Sequence, residues 1–395
     1  MKTLSILGST GSIGRSCLDV VEDFPQEFRV VALAAGSNTR LLADQIRRFR
    51  PQTVSVSNLA ASEALEFHLQ QLPASHWPRV VTGLDGLIQI ATHPETDLVV
   101  SAIVGVHGLL PTFAAIEARK TIALANKEIM VVAGDLVTSA AQRSQVPILP
   151  VDSEHNAIHQ CLRAGKREEV SQVILTASGG PFRSYSRAML EKVTPEMALN
   201  HPTWQMGNRI TVDSATMMNK GFEVLEAKWL FDLPVDQITV LIHPQSTVHS
   251  MVEYRDGSVI AQMGITDMRH PIQYALTYPE RVATQLPSLD FRALRNLEFM
   301  QPDFEQFPCL ELAYQAARNL GAEPCALNAA DEVAVQHFLS GNIPFVAIPK
   351  IVRKMLDSHS SRSNFSTVSD LLQYDKSVRE EAKRLIEQDY ISSCF

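Results

Sequence analysis

Thr3-Leu4-Ser5-Ile6-Leu7-Gly8-Ser9-Thr10-Gly11-Ser12-Ile13-Gly14 is an apolar strand, a glycine-rich turn and the start of a helical pattern that continues over 15–21. Glycines at such a turn let the backbone approach a pyrophosphate, whose charge then sits at a helix N-terminus. The spacing is G-x-x-G-x-x-G rather than G-x-G-x-x-G, so the same glycines also suit a turn that serves only helix-to-sheet packing. Working outward, strand-like runs at 30–34, 53–56, 98–103, 121–125 and 147–151 alternate with helical or loop segments. That alternation predicts an α/β fold with a parallel sheet and crossover helices.

The end of the second strand tests which dinucleotide is expected. It reads Ala34-Ala35-Gly36-Ser37-Asn38-Thr39-Arg40, without the acid that usually binds a ribose 2′-hydroxyl. Ser37, Asn38 and Arg40 could instead donate to a 2′-phosphate, which predicts NADP over NAD. Arg40 also suits a solvated helix face.

At 395 residues the chain exceeds one ordinary core, so two or three domains are expected. A formal net charge of −8, with no long basic run, argues against nucleic acid or an anionic membrane surface as partner. The cysteines Cys17, Cys161, Cys309, Cys325 and Cys394 are scattered without metal-ligand spacing, which predicts free thiols in a reducing compartment. The first strand begins so near Met1 that no signal or transit segment is expected, and no apolar run reaches membrane-spanning length. The expectation is a soluble, cytoplasmic protein, or a plastid one only if a transit segment has been removed.

The stretch Pro150-Val151-Asp152-Ser153-Glu154-His155-Asn156-Ala157-Ile158 ends an apolar strand and enters a helical pattern. Asp152 and Glu154 thus stand at a strand's carboxyl end, where open α/β sheets place ligands. Two carboxylates and a hydroxyl in three residues suit a hard metal such as magnesium or manganese. They equally suit a helix start, with Ser153 or Asp152 as N-cap. His155 and His159 are four apart but lack the glutamate of H-E-x-x-H, so zinc is not expected.

Further on, the strand-like run 173–176 leads into Ala177-Ser178-Gly179-Gly180-Pro181, which could form a small anion nest or an ordinary turn. His201-Pro202-Thr203-Trp204-Gln205-Met206-Gly207-Asn208-Arg209 fits neither a strand nor an amphipathic helix and reads as a mobile lid. A helix from about Ser214 would set Asn219 and Glu223 on one face with Lys220 beside them. Met217, Met218, Phe222, Val224 and Leu225 leave little of that helix free to face water. If Asp152, Glu154 and Glu223 converge, each like-charged pair about 4 Å apart costs about 4 kcal/mol at an effective dielectric of 20. A divalent ion would relieve the cost and act as a Lewis acid on a carbonyl.

Taken together, these stretches resemble the 1-deoxy-D-xylulose 5-phosphate reductoisomerase family, NADPH-dependent enzymes of the non-mevalonate isoprenoid pathway. The resemblance covers nearly the whole chain and rests on 8–14, Leu124-Ala125-Asn126-Lys127-Glu128, 152–158, 178–182, 201–226 and 243–251. It implies that Asp152, Glu154 and Glu223 bind a divalent ion (Mn2+, Mg2+ or Co2+) and that Ser178, Ser214, Asn219 and Lys220 hold the substrate phosphate. Lys127, Ser153 and His201 would contact the rest of the substrate, Lys127 and His201 counting with the acids as catalytic, under Trp204 and Met206 of the lid. Thr10, Gly11, Ser12, Ile13, Gly36, Ser37, Asn38, Asn126, Glu128 and Gly207 would line NADPH. The implied reaction rearranges the skeleton of 1-deoxy-D-xylulose 5-phosphate, by fragmentation and re-addition, and reduces the aldehyde to 2-C-methyl-D-erythritol 4-phosphate. Ser37 stands where a basic residue is common in the family, and Gln205, Asn208, Arg209 and Phe222 vary positions around the lid.

The resemblance also implies a homodimer and the division 1–151 for a Rossmann-like NADPH domain, 152–286 for catalysis and dimerisation, 287–309 for a linker and 310–395 for a helical domain. Strands at 238–242, 248–254 and 258–263 and helices at 310–320, 326–338, 349–358 and 368–388 are read from pattern alone. His243 and His249 are expected in core or interface roles. Two other readings compete: an NADP dehydrogenase with structural carboxylates, for which chelation would leave turnover intact, and a non-catalytic NADP sensor, which gives the phosphate cradle no purpose.

Overall fold

Seven short strands, β1 (Lys2–Leu7), β2 (Phe28–Ala34), β3 (Thr53–Val56), β4 (Arg79–Thr82), β5 (Leu98–Ser101), β6 (Thr121–Leu124) and β7 (Ile148–Pro150), form one parallel sheet in the order β4-β3-β2-β1-β5-β6-β7. The computed structural model describes residues 1–204, 206–359 and 364–391, so Gln205 and Cys394 lie outside the described residues. The strands are almost continuously apolar because helices cover both faces of a parallel sheet. Strand order reverses between β1 and β5, and such a switch point opens a crevice at the carboxyl ends. β4 was not expected from the sequence: Arg79-Val80-Val81-Thr82 is a four-residue edge strand directly after Pro78, too short for its pattern to stand out.

The chain divides into two compact units, each discontinuous in sequence. The first comprises Met1–Ile129, Val137–Asn156 and Asp267–Pro287. Its last piece carries the helix Arg269–Thr277, whose Ile272, Ala275 and Leu276 share a core with Leu4, Leu33 and Val100. The Lys2 ammonium donates to the Leu276 carbonyl at 2.7 Å, tying that helix to the start of β1.

The second unit comprises Met130–Leu136, Ala157–Thr266 and Ser288–Phe395. Its sheet holds β8 (Val170–Ala177), β9 (Ile238–Ile242), β10 (Val248–Tyr254) and β11 (Val259–Met263) in the order β11-β10-β8-β9, with only the β8–β9 pair parallel. The Asp256-Gly257 turn joins β10 to β11; Gly257 has φ +84° and the Asp256 carboxylate accepts from the Ser258 N–H. The helix Met218–Leu230 packs on β8 and β9 and crosses the helix Pro308–Asn319 closely, for a Cβ on Gly221 would lie 2.4 Å from that of Ala313. The C-terminal helices Pro308–Asn319, Glu323–Leu339, Ile348–His359 and Val368–Ile386 fall where periodicity placed them.

One expectation is corrected. The helix read from about Ser214 is two helices, Asn208–Thr216 and Met218–Leu230, joined at Met217 with φ +65°. The left-handed residue breaks the helix between Ser214 and Asn219 without interrupting the apolar pattern, so periodicity alone does not reveal it.

Candidate active site

In the first unit, the turn after β1 is built by close approach. Gly8 has φ +91°, and a Cβ there would lie 2.6 Å from the Ala102 carbonyl oxygen after β5. A Cβ on Gly14 would lie 2.3 Å from the Gly8 carbonyl oxygen, so the helix Ser12–Asp23 packs directly on its own turn. That helix begins with no side-chain cap and no acid in its first turn. Gly11 and Ser12 are exposed there, a geometry suited to an anion. Gly36, Ser37 and Asn38 are exposed after β2, and the Asn38 side chain caps the helix Thr39–Phe49 by accepting from the Leu41 N–H.

Two residues behind these loops carry more of the geometry than their sequence signal suggested. Gln45 is buried and donates to the Ser9 carbonyl at 2.8 Å, holding the glycine-rich turn from below. Asn126 is also buried; its amide donates to the carbonyls of Ile103 and Gly105, and its oxygen accepts from Ile129 N–H at the start of the helix Lys127–Ser144. Asn126 thus fixes the loop after β5. A glutamine in an otherwise apolar helix row was the available clue for Gln45.

At the carboxyl end of β7, Asp152 pairs with Lys127, both largely buried. Burial opposes ionisation of Asp152, but the Lys127 ammonium beside it and the nearby His155 more than offset this and hold its carboxyl well below the usual range. The helix Ser153–Cys161 starts directly after Asp152, and the Ser153 hydroxyl donates to Glu154 at 2.7 Å. Asn156 pins the helix by donating to the carbonyls of Pro150, 2.9 Å, and Pro271, 3.1 Å. The helix-start and carboxylate readings are therefore compatible: the backbone starts a helix while the side chains present oxygen donors.

In the second unit, β8 ends at Ala177 and is followed by Ser178, whose hydroxyl lies 3.0 Å from His201 Nε2 and accepts from the Gly180 N–H. His201 Nδ1 accepts from the N–H groups of Thr203 and Trp204 at 3.1 and 2.9 Å. Those two bonds assign the proton of the neutral ring to Nε2, so His201 donates to Ser178. Desolvation, then the Arg183 guanidinium, lower the His201 pKa and keep the ring neutral. Gly179 and Gly180 both have positive φ, and a Cβ on Gly180 would lie 2.6 Å from the Ser214 carbonyl oxygen, so the two serine-bearing segments meet in van der Waals contact.

Glu223 is buried on the helix Met218–Leu230, with Lys220 paired to one carboxylate oxygen and Asn219 donating to the other at 2.7 Å. Trp204 lies 6.5 Å from the His249 ring, between centroids, and Met206 is half-buried. Gly207 is exposed and immediately precedes the helix Asn208–Thr216. His243 is a core residue: its Nε2 accepts from the N–H groups of Thr247 and Val248, its Nδ1 faces the Glu298 carbonyl, and its ring stacks on Phe299.

Residues 4–134 match the profile of 1-deoxy-D-xylulose 5-phosphate reductoisomerase, 148–231 that of its C-terminal domain, and 263–381 that of the DXP reductoisomerase C-terminal domain. The chain is 52% identical over 386 residues to the 1-deoxy-D-xylulose 5-phosphate reductoisomerase of Desulforamulus reducens, covering 98% of this chain and 99% of the relative. The enzyme of that name from Solibacter usitatus is 52% identical over 387 residues, covering 98% and 97%. Among solved structures, the reductoisomerase of Zymomonas mobilis in complex with NADPH superimposes with a TM-score of 0.91 at 44% identity, covering 98% and 99% of the two chains. A DOX-P reductoisomerase in complex with NADPH, fosmidomycin and magnesium superimposes with a TM-score of 0.93 at 42% identity, covering 98% of each. With matches of this identity over essentially its full length, the chain belongs to the 1-deoxy-D-xylulose 5-phosphate reductoisomerase family.

Proposed function

We propose that Asp152, Glu154 and Glu223 are the ligands of the divalent ion used by this reductoisomerase. The enzyme converts 1-deoxy-D-xylulose 5-phosphate to 2-C-methyl-D-erythritol 4-phosphate in isoprenoid precursor synthesis, with NADPH and a divalent metal. The observation that carries the ligand assignment is the state of the carboxylates: Glu223 and Asp152 are largely buried and each is balanced by a buried lysine, Lys220 and Lys127. Carboxylate oxygens are the donors that magnesium and manganese prefer, so the residues fit the ion. When bound, the ion supplies a Lewis acid to substrate oxygens and the nicotinamide supplies a hydride.

The chain's own groups do the remaining work. Ser178, Ser214, Asn219 and Lys220 bind the substrate phosphate, where the close approach at Gly180 brings the Ser178 and Ser214 segments together. His201, held neutral, donates from Nε2, and Lys127 and Ser153 orient the hydroxyl and carbonyl groups of the sugar. Trp204 and Met206 close over them and exclude water. Thr10, Gly11, Ser12 and Ile13 seat the pyrophosphate, Gly36, Ser37 and Asn38 the adenosine ribose, and Asn126, Glu128 and Gly207 the nicotinamide half. We assign domain 1–151 to NADPH, its core completed by the helix Arg269–Thr277, the rest of 152–286 to catalysis and dimerisation, 287–309 to a linker and 310–395 to a helical domain.

The same reading takes the enzyme to be a cytoplasmic homodimer able to use manganese as well as magnesium. β11 is an edge strand with Val259 and Ile260 exposed, a surface suited to a second copy. Among the described residues no helix is long and apolar enough to cross a membrane. The deciding experiment follows NADPH consumption by metal-stripped protein with 1-deoxy-D-xylulose 5-phosphate, before and after adding magnesium or manganese. Turnover that appears only with metal and yields 2-C-methyl-D-erythritol 4-phosphate supports the reading. Full turnover with chelator, or Glu223→Gln with near-normal metal-supported turnover, would remove the ligand assignment.

A further inference from the structure

Arg209, the last residue of the lid stretch, is the second residue of the helix Asn208–Thr216, and its side chain leaves that helix to reach two others. Its Nη1 donates to the Glu332 carboxylate at 2.9 Å and its Nη2 to the Asn328 side-chain Oδ1 at 2.8 Å, both on the helix Glu323–Leu339. Asp213, one turn on, is 3.6 Å away and Asp331 is 3.7 Å away, and the guanidinium lies over the Phe222 ring at 5.8 Å. Glu332 is shared: Arg379 on the helix Val368–Ile386 donates to the same oxygen at 3.0 Å and holds Asp375 with two further bonds. Arg209 is 14% exposed and Asp331 fully buried, so these charges interact where solvent screens them weakly.

The helix that Arg209 tethers is held by packing through Thr211, Val212, Ala215 and Thr216, all buried, and Arg209 adds a charged tether near its N-terminus. It is nine residues long, starts at Gly207 without a side-chain cap and ends at the left-handed Met217. An isolated helix of that length is marginal in water, so packing and tethers decide where it sits. Ser214 stands five residues beyond Arg209, about 7.5 Å along the axis. The Ser214 carbonyl is the atom a Cβ on Gly180 would strike, so movement of this helix would displace Ser214 and the Ser178–Gly180 turn together.

We infer that Arg209 is a positioning residue for the substrate phosphate: by tying the helix Asn208–Thr216 to the helix Glu323–Leu339, and through Glu332 and Arg379 to the helix Val368–Ile386, it makes those helices part of the phosphate-binding apparatus. This rests on the reading that Ser178, Ser214, Asn219 and Lys220 form the phosphate cradle. Arg209 itself does not touch the phosphate. Its effect should be larger on the binding of the phosphoryl group than on the dinucleotide, which meets this segment only through Gly207.

The test uses the full-length enzyme with magnesium and NADPH, comparing Arg209→Gln, Arg209→Lys and the charge-balanced double variant Arg209→Gln with Glu332→Gln. For each, kcat, the two KM values and the inhibition constant of inorganic phosphate are measured. Arg209→Gln should raise KM for the phosphorylated sugar on the order of tenfold, weaken phosphate inhibition by a similar factor and keep kcat within about threefold, with a smaller change in KM for NADPH. Lysine should restore part of the loss. The double variant, which keeps the net charge of the cluster at its parental value, should keep the weakened phosphate affinity even where the single variant fails to fold. A fall in kcat with both KM values and phosphate inhibition unchanged, or parental phosphate inhibition in the double variant, overturns the inference. Ser214→Ala is run in parallel: if it leaves phosphate inhibition unaltered the cradle reading fails, whereas a weakened Ser214→Ala beside a parental Arg209→Gln refutes the tether alone.

Discussion

Lys220→Met separates a counter-charge from a metal ligand in one measurement. Lys220 and Glu223 are 4% and 1% exposed and pair directly, and methionine keeps the length and apolar stem while deleting the charge. Removing one partner of a buried pair typically costs about 3–5 kcal/mol, because the remaining charge is stranded. Asn219 still donates to the other carboxylate oxygen at 2.7 Å, which favours the lower end of that range. If Glu223 binds a divalent ion, the cation restores the missing positive charge, and the ammonium that repelled it is gone. The assay is thermal unfolding of parent and variant, each with chelator and with saturating magnesium. The melting temperature of the variant should fall clearly in chelator and recover most of the deficit in magnesium, so that its metal-induced shift exceeds the parent's. An equal deficit under both conditions would falsify the coupling between Lys220, Glu223 and the ion. NADPH binding, which the proposed site residues assign to the other unit's turn, serves as the control and should not change.

Three further outcomes are expected. Burial, then the Arg163 guanidinium, hold His159 at a pKa of about 4; an unfolded histidine titrates near 6.5, so its contribution to stability is complete above about pH 6.5 and declines as pH falls toward 4, by up to about 3 kcal/mol. His159→Gln should flatten that acid limb in urea unfolding curves, and an unchanged slope would assign the acid sensitivity elsewhere. Gly14→Ala places a Cβ 2.3 Å from the Gly8 carbonyl oxygen and 2.5 Å from Ser9 Cα, an overpacking worth about 1–3 kcal/mol, so NADPH fluorescence titration should show roughly 5- to 100-fold weaker binding. Asn156→Leu leaves the Pro150 and Pro271 carbonyls without their side-chain donor and should cost roughly 1–3 kcal/mol at each; a denaturation midpoint equal to the parent's would mean that water replaces the amide.

The sheet of the first unit was legible because each of six strands is an apolar run bounded by polar or glycine-rich turns, and buried parallel strands read that way. β4 escaped because an edge strand of four residues has no run to read. In the second unit the Asp256-Gly257 hairpin and the C-terminal helices were plain from turn chemistry and 3.6-residue periodicity. Met217 was not, since a left-handed methionine at a helix break has no signature in composition or spacing. At the candidate site, the chemical types were visible in advance: the acids at 152 and 154, the serine-glycine nest, and Asn219, Lys220 and Glu223 at helical spacing. The groups that orient them were not, because Gln45, Asn156 and Arg209 act across gaps of 36, 115 and over 100 residues, and no local pattern records such a partner. The tautomer of His201 likewise depends on two backbone N–H groups that only the folded loop supplies.

The placement of the helix Arg269–Thr277 has a consequence for how this chain is made. The parallel sheet is drawn from the first 150 residues, yet part of the apolar surface that completes its core comes from Ile272, Ala275 and Leu276. On a ribosome, where the chain emerges from its N-terminus onward, the nucleotide-binding unit must wait for more than a hundred further residues before its core can close. Through that interval its uncovered apolar surface is a substrate for chaperones. A fragment cut after β7 inherits that exposed surface permanently, so a minimal NADPH-binding unit has to carry the Asp267–Pro287 segment, spliced on or supplied as a peptide.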